Sequence, residues 1–119
     1  MTAFSLPAYA SDIQIGAVGD VSISQRLIET RSIDLEKIKL YGGIIFANFE
    51  GVLSEGHTNS RHPLGMKLTM PPRAVGILRK IGVNTLSLAN NHTLDIGSQA
   101  YSQTLVDLRG NKFIVAGLN

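Results

Sequence analysis

The chain has 119 residues, 44% of them hydrophobic and 17% charged, which is the balance of a water-soluble globular domain rather than of a disordered tail. Its formal net charge is only +2, and Lys37, Lys39, Arg61, Lys67, Arg73, Arg79 and Arg109 are spread along it without interleaved aromatics, which argues against a nucleic-acid surface. With no cysteine, a disulfide framework and a thiolate metal site are both excluded, so any metal must be held by carboxylates, amides and imidazoles.

Residues 1–11 contain the cleavage-type triplet Ala8-Tyr9-Ala10 but lack the basic start and long apolar stretch of a complete secretory signal. They read as a signal remnant or a disordered N-terminus, with the domain proper at 12–119. No later apolar run reaches the ~18 residues needed to span a bilayer, so a membrane is expected only through a missing N-terminal signal or anchor. Ile13 to Val18 reads as a first strand ending in Gly19-Asp20. Ile33 to Leu40, with apolar residues at 33, 35, 38 and 40, suits a short amphipathic helix broken by Gly42-Gly43. Ile44-Ile45-Phe46-Ala47 is a continuous apolar run of the kind found in a strand covered on both faces, and Asn48-Phe49-Glu50-Gly51 terminates it.

From Ser54 to Pro72 the chain is rich in Gly, Ser, His and Pro without a sustained period, which predicts a long loop. Pro72 to Ile81 follows as a helix, with a proline in its first turn, basic residues near its end and Gly82 as its stop. A strand over 83–89, a helix over about 97–109 capped by Gly110 and a last strand over 112–116 complete the pattern. Strands alternating with helices predict an α/β fold with a largely parallel sheet.

Polar residues recur where three of these strands end. Asp20 follows the first, Asn48 and Glu50 follow the second, and Asn91 and His92 follow the 83–89 strand. Open α/β sheets place ligands at the carboxyl ends of their strands, where helix N-termini converge. Carboxylate oxygen, amide oxygen and imidazole together suit Mn, Fe, Zn or Mg, and a bound dication activates water for hydrolysis. His92 with Asp95 reads as an imidazole whose tautomer a carboxylate fixes, able to protonate a leaving group. Each residue also has a plain alternative: turn or cap carboxylates at Asp20 and Glu50, and capping contacts at Asn91, His92 and Asp95. His57 and His62 fall in the long loop, where solvated histidines are the usual case. Lys67, close to the rigid Pro71-Pro72 turn, is a candidate for contacting an anionic substrate.

Gly19-Asp20-Val21, Ala47-Asn48-Phe49-Glu50-Gly51, Lys67 before Pro71-Pro72, and Ser87-Leu88-Ala89-Asn90-Asn91-His92-Thr93-Leu94-Asp95-Ile96-Gly97 together resemble the bacterial capsule synthesis family of the CapA, or poly-gamma-glutamate, type. The resemblance runs from Ile13 to the Ala116-Gly117-Leu118-Asn119 ending. It implies the α/β/β/α sandwich of calcineurin-like metallophosphatases with a two-metal site. Asp20, Glu50 and Asn91 would be metal ligands, His92 with Asp95 catalytic, and Asn48 and Lys67 substrate contacts.

The family's later ligand histidines have no counterpart in the 119 residues, so the expectation is an N-terminal part of such a domain, inactive alone. The implied substrate is an anionic polymer or phosphoester, the implied partners are other capsule-assembly proteins, and the implied location of the parent is exported or at the cell envelope. The alternatives are a non-catalytic accessory in polymer assembly or export, and an inactive fragment.

Overall fold

The structure, a computed structural model, describes residues 12–30, 34–56, 61–62 and 65–117. The signal-like N-terminus, Ile33, His57 and the Leu118-Asn119 ending lie outside the described residues. In chain order the elements are β1 (Ile15–Val21), α1 (Gln25–Glu29), β2 (Ile44–Phe49), β3 (Val52–Leu53), β4 (Arg61–His62), β5 (Gly65–Met66), β6 (Thr69–Met70), α2 (Arg73–Lys80), β7 (Thr85–Ser87), α3 (Ser98–Gly110) and β8 (Ile114–Ala116).

Four strands form the main sheet in the order β1-β2-β7-β8, every pair parallel, as the alternation of strands and helices requires. Two short ladders stand beside it, β3 parallel to β6 and β4 antiparallel to β5. The stretch expected to be a loop thus carries three short strands. Backbone pairing with Val52-Leu53 holds Thr69-Met70, β4 and β5 pair with each other, and two-residue ladders leave no hydrophobic period to read in the sequence.

Burial alternates along β2. Ile45, Ala47 and Phe49 are buried, and so are Leu86 of β7 and Leu88 beyond it. Ala74, Val75 and Leu78 of α2 and Tyr101 and Leu108 of α3 belong to the same core. The opposite face of the sheet is open: Ile15, paired with Ile44, is 71% exposed, Ile44 36%, and Ile114, in the next row on that face with Ala17, Phe46 and Thr85, 64%. The apolar run at 44–47 is therefore covered on one face rather than two among the described residues.

One helix expectation changes, and one short helix was not expected. Residues 35–38 form turns instead of a helix, because the Asp34 carboxylate accepts from Glu36 N–H and so competes with helical pairing. The helix in that part of the chain is α1, started by Ser24, whose hydroxyl accepts from Leu27 N–H at 3.2 Å. In contrast, α2 and α3 occupy their predicted ranges within a residue or two, and Gly82 follows α2 at φ +97°. No helix among the described residues is long and apolar enough to cross a membrane.

Candidate functional site

The parallel order β1-β2-β7 sets three strand ends side by side, and a line of amides joins them. Asn48 Nδ2 donates to Asp20 Oδ1 at 2.7 Å. Asn90 Nδ2 donates to Asn48 Oδ1 at 3.1 Å and to the Phe49 carbonyl at 2.9 Å. A carboxylate from the end of β1, an amide from β2 and an amide from the loop after β7 thus form one chain of hydrogen bonds.

Register explains why Asp20 reaches Asn48. Ala17 pairs with Phe46 and Asp20 with Asn48, so β1 spends three residues where β2 spends two. The irregularity falls at Val18-Gly19 and behaves as a bulge. Without it Gly19 would stand opposite Asn48 and the carboxylate would face away. Strand β1 accordingly continues through Gly19-Asp20 instead of ending there.

Beyond β7 the chain folds back on itself in a tight turn. The Asn90 side-chain oxygen accepts from His92 N–H at 3.0 Å, and the buried Thr93 hydroxyl donates to the Leu88 carbonyl. These bonds present His92 beside Asp95, with Nδ1 2.8 Å from Oδ2. The same Oδ2 accepts from Leu68 N–H at 2.7 Å, which ties the segment carrying Lys67 to the dyad. A carboxylate that only accepts holds the proton on Nδ1 and leaves Nε2 as the second working nitrogen. Both side chains are largely shielded, at 19% and 14% exposure. Asp95 therefore does not cap α3. Gly97, at φ +95°, stands at that N-cap with no side-chain bond.

Glu50 is half-buried, its N–H donating to the Val21 carbonyl at 3.1 Å, and its carboxylate has no partner among the described residues. Gly51 follows at φ +130°, where a Cβ would stand 2.6 Å from the Leu68 carbonyl oxygen, so only glycine lets the chain turn this tightly after Glu50. Asn91 is exposed and Lys67 half-buried, and neither side chain has a hydrogen-bond partner among the described residues. His62 lies in β4.

Asn90, quoted in the sequence motif but given no role, is the residue that links the strands. The signal for it is positional: it is the first amide after the strand, before the chain has left the sheet. Among the described residues no group of three or more His, Asp or Glu side chains gathers as a metal cluster. The free oxygens of Asp20, Glu50 and Asn91 fit a hard divalent cation in donor type.

The comparison with protein families decides the relationship. The family model described as bacterial capsule synthesis protein PGA_cap matches residues 14–119. The chain belongs to that family. All the strands and helices that build the site fall inside the matched residues, so the amide line and the imidazole-carboxylate pair are features of its capsule synthesis domain. A search of curated proteins returned no match.

Proposed function

We propose that this capsule synthesis protein carries a metal-dependent hydrolytic site of metallophosphatase type at the carboxyl ends of β1, β2 and β7, acting at the cell envelope on a phosphoester or related linkage of an anionic polymer. The observation that carries the reading is the hydrogen-bonded line Asp20–Asn48–Asn90, flanked by an oriented imidazole at His92. Ligand-binding polar groups at adjacent parallel strand ends are the usual arrangement of open α/β sites.

Asp20, Glu50 and Asn91 would hold a divalent ion, which supplies a water acidified towards hydroxide. Asn48 holds Asp20 through its amide hydrogen and is itself held by Asn90, so the carboxylate needs no rearrangement to act. His92, with its Nδ1 proton fixed by Asp95, presents a bare Nε2 that would take up the proton of the attacking water and, as the imidazolium, pass it to the leaving oxygen. Lys67, in the segment pinned to Asp95 through Leu68, supplies positive charge to an anionic substrate.

The test is metal content and thermal shift with Mn²⁺, Zn²⁺ or Mg²⁺, beside hydrolysis of p-nitrophenyl phosphate esters, for the wild-type chain and an Asp20→Asn, Asn91→Ala variant. Metal uptake with turnover, both lost in the variant, supports the reading. Metal uptake without turnover keeps the ion site and favours the non-catalytic accessory or the inactive fragment over the hydrolase. A flat metal response in a cooperatively melting chain removes the metal site.

A further inference from the structure

A second concave surface lies on the molecule, separate in its residues from the strand-end line. A cavity of about 610 Å³ opens between the start of α1, the segment after β3 and the Pro71-Pro72 entrance to α2. That volume suits an organic ligand rather than a single ion. Arg26 and Arg73 stand on its wall, together with the Ser24 hydroxyl and one carboxylate, Glu55.

Positive charge is in excess there, two exposed arginines against one exposed carboxylate. The ion pairs among the described residues are Lys37–Asp34, Lys39–Glu36 and His92–Asp95, so neither guanidinium has a carboxylate partner. Arg73 is also the first residue of α2, whose first turn holds no acidic residue. A cation at that end opposes the helix dipole, and an external anion relieves both charges at once. Guanidinium groups recognise carboxylate and phosphate oxygens in pairs, and two of them across one cleft favour a ligand with more than one anionic group.

We propose that this cleft binds a multiply charged oxyanion ligand, with Arg26 and Arg73 as its anchors and Glu55 limiting its affinity. Citrate and tripolyphosphate, each titrated calorimetrically into the full chain in excess chelator, separate a carboxylate from a phosphate source. The chelator also makes the outcome independent of any metal at Asp20. Expected is saturable binding of at least one probe, with amide shifts at Ser24 and Gly56. Affinity should fall roughly tenfold or more in Arg26→Gln, Arg73→Gln. Glu55→Gln should tighten it about two- to threefold, a gain that no misfolded variant gives. No binding of either probe, binding indifferent to the arginine changes, or an unchanged affinity in Glu55→Gln each overturns the proposal.

Discussion

Asn48 faces Asp20 across the β1–β2 pair with a 2.7 Å hydrogen bond, and it does so because β1 carries one extra residue between Ala17 and Asp20. The amide thus acts as a neutral clamp between a carboxylate and a second amide. Replacing it with a carboxylate should set two like charges against each other. In chelator, Asn48→Asp should melt a few degrees below wild type, and a divalent cation should restore it by more than it shifts the wild-type protein. Differential scanning fluorimetry with and without Mn²⁺ reads this. Equal shifts in both proteins would mean that no cation sits at Asp20.

The two tandem asparagines should behave differently. Asn90 satisfies the Phe49 carbonyl and His92 N–H, so Asn90→Ala should cost roughly 1–3 kcal/mol by leaving those groups without partners. Asn91 is exposed and bonded to nothing described, so Asn91→Ala should change stability by no more than about 0.5 kcal/mol. Urea unfolding of the two variants decides, and comparable losses would contradict the different placement of the two side chains.

His92 should be found with its neutral proton on Nδ1, the nitrogen 2.8 Å from Asp95 Oδ2. Long-range ¹⁵N–¹H correlation of the imidazole reports the tautomer directly. Asp95→Asn should return the ring to a mixture and also loosen the segment at Leu68, whose N–H loses its charged acceptor. A dominant Nε2–H form in the wild-type protein would overturn the oriented-imidazole reading.

Two glycines give opposite signs. Gly51→Ala combines φ +130° with a Cβ 2.6 Å from the Leu68 carbonyl, and should destabilise by about 1–3 kcal/mol while shifting the turn after Glu50. Gly76 lies inside α2 with nothing near its missing Cβ, so Gly76→Ala should stabilise by roughly 0.8 kcal/mol through helix propensity. Chemical denaturation of both variants tests the pair. A stabilised Gly51→Ala would show that the backbone there does not need glycine.

Legibility in the sequence followed the reach of the interactions involved. α2 and α3 were readable because proline, apolar spacing and terminal glycines act within a few residues of one another. α1 was missed although Ser24 is a local cap, because five residues carry too little period to register. The helix expected at 33–40 failed for a local reason as well, since Asp34 captures an N–H that helical pairing would need.

The residues at the strand ends could be named from sequence, since polar side chains just beyond apolar strands have few other reasons to cluster. Of their connections, only the His92–Asp95 pair could be named as well. The sequence by itself determined the α/β class and the parallel sheet, and it marked Asp20, Asn48, Asn90, His92 and Asp95 as polar residues near strand ends, although Asp20 and Asn48 lie inside β1 and β2. Only the tertiary structure decided that a bulge turns Asp20 onto Asn48, that Asn90 rather than Asn91 bridges the strands, and that Asp95 also holds Leu68 instead of capping α3. These bonds join residues up to 42 positions apart in the chain. Their existence depends on strand register and on which face each side chain takes, and a shift of one residue reverses that face.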